Sequence, residues 1–127
     1  MFFAYDEGWN IYWCSAVVSR HSQNIYNNNG RVAIAVFDSS VAAGTGKGVY
    51  FQGSASEIGA DLAEKVFSLL ATRSGKQPQT TAEDYLNNSP RRIYRFQSQE
   101  AWVSGERLAV GNNQLVDIKI QIDLQDL

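Results

Sequence analysis

The sequence predicts a mainly β domain whose strands close, or nearly close, into a barrel with helices packed outside. Three observations lead there. Six or seven stretches are rich in aromatic and β-branched residues and bounded by turn chemistry. Only two prolines occur, so little interrupts those stretches. One long segment, Ile58 to Arg73, carries a sustained helical spacing of apolar residues.

The elements follow in order. Phe2 to Tyr5 and Asn10 to Ser15 read as strands joined through Asp6-Glu7-Gly8, a hairpin. Ser22 to Asn28 reads as a short helix stopped by Asn27-Asn28-Asn29-Gly30. Arg31 to Asp38 is apolar at nearly every position, the pattern of a strand covered on both faces. Gly48 to Glu57 is another strand, with Gly53 marking a bulge or a close backbone approach. In the helix Ile58 to Arg73, residues Ile58, Leu62, Val66, Leu69 and Leu70 form the apolar face, and Asp61 stands four before Lys65. Thr80 with Glu83, or Thr81 with Asp84, can build a capping box for a brief helix through Leu86. Arg92 to Gln97 and Ala101 to Ser104 return to strand. In the last run, Leu115 to Leu124, apolar and polar residues alternate strictly, the mark of a half-buried strand.

Length and composition bound the function classes. At 127 residues the chain fits a single domain, 1–127, able to bury roughly two-thirds of its unfolded surface. Hydrophobic residues make up 44% and charged residues 19%, which argues against disorder. The net charge of -2, with signs interspersed, offers no basic face for a nucleic acid. A single cysteine, Cys14, rules out an internal disulfide and predicts a reducing, cytoplasmic setting. No apolar stretch approaches the ~20 residues of a membrane span, and no basic region precedes an apolar one at the start.

Several chemistries fall away. One histidine and one cysteine are too few for a zinc cluster. Gly44-Thr45-Gly46-Lys47-Gly48 lacks the first glycine and the magnesium-binding hydroxyl of a P-loop, and joins strand to strand. A serine triad would need His21, which belongs to a different kind of turn. That turn, Ser19-Arg20-His21, leaves a strand and enters a helix, where free amides and the positive helix end favour an anion. Arg20 can hold two phosphate oxygens at once, and Ser15, Ser19 and Ser22 add hydroxyls. The same residues also read as a simply capped helix. The aromatics Tyr12, Trp13, Tyr50, Phe51, Tyr94 and Trp102 suit either a barrel interior or a stacked planar ligand.

The stretches IYWCSAVVSRHSQNI, RVAIAVFDS and GVYFQGSASEI resemble the FMN-binding split-barrel family typified by pyridoxamine 5'-phosphate oxidase, and most of all its short, oxidase-related branch. The resemblance continues through Ser89-Pro90-Arg91-Arg92-Ile93-Tyr94 and Ala101-Trp102-Val103 to VDIKIQI. It implies a split β-barrel with flanking helices that binds FMN at a homodimer interface. It implies that Cys14 and Ser15 border the flavin and its phosphate, that Arg20 grips the phosphate, and that Trp102 and Lys119 lie near the cofactor. With the turn's own residues, the expected phosphate site is Ser15, Ser19, Arg20 and His21. His21 stands where the oxidase has lysine, and Gly48 where a glutamine touches the flavin.

The resemblance further implies a flavin-dependent oxidoreductase, without naming a catalytic acid or base. Pyridoxamine phosphate itself is not the expected substrate, since no second set of basic residues offers a phosphate site. Two alternatives stand beside it: a protein that holds flavin, deazaflavin or haem without turnover, and a fold remnant acting through its dimer surface. Relatives carry an earlier strand and turn before the segment matching Phe2 to Asp6. The expectation is a sheet edge left open there, and an in-frame strand encoded upstream of Met1.

Overall fold

The computed structural model describes every residue except 39, 42–46, 106, 107, 113, 117 and 127, and only the backbone of 108 and 109. Eight strands and two α-helices alternate along the described residues: β1 (Ala4–Tyr5), β2 (Asn10–Ala16), α1 (Arg20–Asn27), β3 (Arg31–Phe37), β4 (Gly48–Glu57) and α2 (Ala60–Ser74). A short 3-10 helix, Ala82–Tyr85, leads to β5 (Arg91–Ser104), β6 (Leu108–Val110), β7 (Gln114–Val116) and β8 (Lys119–Ile122). The main sheet is ordered β1-β2-β5-β4-β3, with β8 also on β5, while β6 and β7 form a separate ribbon. This is a mainly antiparallel β fold with two helices. Contacts gather into two units, 1–32 with 54–97, and 33–53 with 98–127.

In the first unit, β1 and β2 form the expected hairpin, with Ala4 opposite Tyr12 and Tyr5 opposite Ile11. Asp6 fastens its turn. The carboxylate accepts from the Gly8 amide at 3.0 Å, from the Asn10 amide at 3.1 Å, from the Asn10 side chain, and from the Tyr12 hydroxyl at 2.8 Å. Alternation along β2 then sends Tyr12 and Cys14 to one face and Ile11, Trp13 and Ser15 to the other. The first face is sealed by α2, whose Ala63, Val66 and Leu70 pack with Ala4, Tyr12, Ile58 and Ile93. On the second face, Trp13 stacks on Tyr94 with ring centroids 6.0 Å apart, and Tyr26 of α1 meets Tyr94 edge-on. Both faces of β2 are therefore core.

Gly30 closes α1 onto β4. Its φ of +81 admits glycine, and a Cβ there would sit 2.8 Å from the Ala55 carbonyl oxygen. That proximity is functional in the sheet, because the Ala55 amide donates to the Gly30 carbonyl at 2.7 Å. Of the two capping boxes the sequence allows, the fold uses the second: the Thr81 amide donates to the Asp84 carboxylate at 2.8 Å.

In the second unit, β8 lies antiparallel on the end of β5, with Ala101 opposite Ile122 and Ser104 opposite Lys119. The Gly48 amide donates to the Ser104 hydroxyl at 2.9 Å. Three expectations need correction. Arg92 to Gln97 and Ala101 to Ser104 are one strand, because β5 pairs with β2 through Gln97 and with β8 from Ala101, and the polar residues between simply continue it. The final alternating run divides into β7 and β8, and only part of it is half-buried: Ile118, Ile122 and Leu124 are, whereas Leu115 at 59%, Val116 and Ile120 at 52% are exposed. β7 pairs with β6 in a two-stranded ribbon, and a ribbon has no second layer to bury against. Finally, β3 is not covered on both faces. It ends the strand order, alternates exposed and half-buried residues, and leaves Phe37 67% exposed. The residues 44–46 of the glycine-rich loop lie outside the described residues.

Candidate functional site

Helix α1 begins where the sequence placed the anion turn. Ser19 is its N-cap, with extended backbone, and its hydroxyl accepts from the Ser22 amide at 3.3 Å. The same hydroxyl donates to Ser22 Oγ at 2.8 Å and sits 3.1 Å from Ser15 Oγ. Ser15, at the end of β2, also meets His21 Nε2 at 2.5 Å. Two further bonds hold the approach to the helix. The Val17 amide donates to the Pro90 carbonyl at 2.9 Å, and the Gln23 side-chain amide donates to the Val17 carbonyl at 2.8 Å. Three serines and the histidine thus form one connected cluster in the first unit.

What this cluster leaves open matters as much. The amides of Arg20 and His21, the first two of the helix, bond to nothing among the described residues, while the next two are taken by Ser19. Arg20 is exposed and its guanidinium makes no hydrogen bond or ion pair among them. Two directed N–H groups, an unpaired guanidinium and the positive end of a helix meet at one turn. Such a set can accept a phosphate or carboxylate without first breaking an internal contact. Ser22, fully buried, serves the cluster internally.

Cys14 takes a different place. It packs against the core under α2, on the opposite face of β2 from Ser15. Burial pushes its thiol up to about 11, with the charge of Arg91 pulling weakly the other way. At neutral pH it is a small apolar thiol, unsuited to nucleophilic chemistry.

Trp102 and Lys119, the two late residues of the resemblance, belong to the second unit, where they line one cavity of about 400 Å³. Its wall includes Ile34, Tyr50, Phe51 and Gln52. The Lys119 ammonium lies over the Tyr50 ring, 4.0 Å from its centroid. The aromatic set of the sequence therefore sorts cleanly. Tyr12, Trp13, Phe51 and Tyr94 are buried, and only Tyr50 and Trp102 are half-buried with a face to spare. Tyr50 as the partner of Lys119 had no sequence signal beyond its aromaticity, since the two are far apart along the chain. Among the described residues no group of three or more His, Cys, Asp or Glu gathers to hold a metal, and no helix is long and apolar enough to cross a membrane.

No family model and no curated protein matches the chain. Solved structures do. The protein Atu2129 from Agrobacterium tumefaciens str. C58, of unknown function, superposes with a TM-score of 0.62 at 19% identity, over 84% of this chain and 43% of its own. A heme-binding protein from Mycobacterium smegmatis superposes with a TM-score of 0.60 at 15% identity, over 92% of this chain and 44% of its own. At such identities the likeness is one of fold, and the chain spans less than half the length of either neighbour.

Proposed function

We propose that this chain is a split-barrel domain that binds FMN as a homodimer, with the cofactor's phosphate at Ser15, Ser19, Arg20 and His21. One observation carries the reading: the α1 turn presents two amides and an Arg20 guanidinium that have no partner among the described residues, beside an already ordered hydroxyl cluster. An anion there replaces water and not protein, so it is bound at little cost in rearrangement. The second unit has its own cavity, lined by Tyr50, Trp102 and Lys119, with aromatic surface and a volume within the size range of small-molecule sites, whereas the phosphate assignment stands on the α1 turn alone. The exposed Phe37 on β3 is apolar surface that a second copy of the chain would cover. When bound, FMN supplies hydride or electron transfer, and an oxidoreductase role rests on that chemistry.

Haem is the second reading, favoured by the Mycobacterium smegmatis neighbour. It meets a difficulty in the ligands. His21 is engaged by Ser15, and Cys14 is a half-buried thiol packed against the core. The second-unit cavity offers Tyr50 and the Lys119 amine, which lie against each other, but no histidine, cysteine or methionine among its lining residues. Sedimentation velocity followed at visible wavelengths, with FMN or hemin added, tests both. Flavin absorbance sedimenting with a dimer is the expected result. A Soret band without flavin uptake favours haem, and protein that carries neither colour contradicts the proposal.

A further inference from the structure

A second cavity, of about 590 Å³, opens in the first unit between the start of α2, the 3-10 segment and β5. Nothing in the FMN reading uses it. We infer that this cavity is a binding site for a small zwitterion with an apolar body, of the free amino acid class. The inference stands on the charges and surfaces that line it.

One wall is apolar, built by Ile58, Tyr85 and Leu86. Tyr85 is fixed there by Phe67, their rings 5.9 Å apart. Another wall carries Arg92, whose Nη1 donates to both Glu57 oxygens, at 3.3 and 3.2 Å, and whose Nε donates to the Ser89 carbonyl at 2.9 Å. That leaves Nη2 with both protons unassigned among the described residues, on a guanidinium already aimed by three bonds. A carboxylate is the group such a nitrogen takes.

The lining also includes Gly59 and Ala60, the cap and first residue of α2. Gly59 has φ -87, a conformation open to any residue, and makes no side-chain cap. The amides of Ala60 and Asp61 consequently have no hydrogen-bond partner among the described residues, where the Leu62 amide reaches back to Gly59. A Cβ at Gly59 would sit 2.9 Å from the Asp61 carboxylate, so a serine here could cap the helix and fill this corner of the cavity only once Asp61 had swung aside. Glycine keeps both amides available.

Charge then selects the ligand class. Arg92 is answered by Glu57, and Glu83 adds a second carboxylate to the lining, which makes the cavity net negative. A dianion is disfavoured there. A molecule with one carboxylate for Arg92 and α2, and one ammonium for Glu83, is neutral overall and satisfies both ends. Tyr85, Leu86 and Ile58 receive its apolar portion.

The test uses the folded chain and three probes: leucine, N-acetyl-leucine without the ammonium, and leucinamide without the carboxylate. Methyl NMR shifts at Ile58 and Leu86 report occupancy. Leucine is expected to shift them saturably, and each blocked analogue to bind on the order of tenfold more weakly, as loss of one charged hydrogen bond implies. Glu83→Gln, an exposed side chain, is expected to weaken leucine while leaving N-acetyl-leucine unchanged. Gly59→Ser, which can cap α2 once the Asp61 carboxylate moves aside, is expected to keep or raise thermal stability yet weaken leucine, a combination that a purely structural glycine would not give. No saturable shift with leucine overturns the inference, as does equal binding of all three probes. Neither result touches the FMN reading, which depends on α1.

Discussion

The two helices of the first unit begin in opposite ways. At α1 the side chain of Ser19 turns back on the Ser22 amide and links onward to Ser15 and His21. At α2 the cap is Gly59, with no side chain to turn back, and the start of the helix faces a cavity. Each leaves two amides without a hydrogen-bond partner among the described residues, but the surroundings differ in charge. Around α1 stand Arg20 and His21 with three neutral hydroxyls. Around α2 the one cation, Arg92, is answered by Glu57, and Glu83 lies close by. A helix start is thus only half of an anion site; the neighbouring side chains decide whether a full negative charge or a neutralised one is welcome.

Their far ends contrast as well, and there the largest effect is expected. Gly30 and Gly75 follow α1 and α2 with φ of +81 and +67. A Cβ at Gly75 meets nothing within 4 Å, whereas at Gly30 it meets the Ala55 carbonyl at 2.8 Å. Gly75→Ala should cost the ~1–2 kcal/mol of a left-handed L-residue. Gly30→Ala adds the loss of a sheet contact and should exceed about 2 kcal/mol. Urea melts of both variants check the ranking, and equal losses would mean that the Gly30–Ala55 contact carries no weight.

A smaller effect is expected at the start of α1. Ser19→Ala removes the cap and should destabilise the fold by about 1 kcal/mol. It also frees Ser15 from one partner, so FMN affinity should fall alongside stability. Thermal melts with and without FMN separate the two, and a variant with unchanged stability would show that the cap is not what orders the turn.

The smallest effect concerns the β1–β2 turn, which Asp6 fastens with a carboxylate as Ser19 fastens α1 with a hydroxyl. Burial alone would raise the Asp6 pKa, but the bonds from Tyr12, Asn10 and Gly8 together outweigh it and hold it below the usual 3.8. A depressed folded pKa stabilises above the unfolded value, and the contribution is lost as pH falls through the folded one. Stability of the wild type should therefore drop on acidification below pH ~4 more steeply than that of Asp6→Asn. Parallel pH profiles would remove Asp6 from the account. Tyr12, pushed up to about 12 by burial first and by Asp6 second, stays a hydroxyl donor throughout that range.

Much of this was legible in the sequence, and for local reasons. Ser19 is a strong capping residue after a β-branched run, so the existence of α1 was legible, but the sequence began the helix at Ser22 whereas Ser19 caps it and Arg20 and His21 are its first residues. The bounds Gly48–Glu57 of β4 coincide with their sequence reading because a glycine and the approach to a helix fence that strand. Gly59 was silent: an uncapped helix start has no residue to advertise it, and the reading began the helix at Ile58 instead. The run from Leu115 to Leu124 misled in part, at Leu115, Val116 and Ile120, because alternation records which side chains share a face, not whether anything covers that face. β3 misled for the same reason, its apolar residues being written as for a central strand while it ends the order. Trp102 and Lys119 came through the resemblance; that they line one cavity with Tyr50 is a tertiary fact no spacing encodes.

The most direct test of the anion turn compares two ligands that differ by the anion alone. FMN and riboflavin share the ring and the ribityl chain, so contacts to those parts cancel. Arg20 is exposed and bonds to no side chain or carbonyl among the described residues, which makes Arg20→Ala a clean probe. Fluorescence titration of both ligands should show FMN weakened by about 1.5–3 kcal/mol, as for a hydrogen bond to a charged group, with riboflavin nearly unchanged. Equal losses for both ligands, or none for either, would contradict the claim that this turn is the phosphate site.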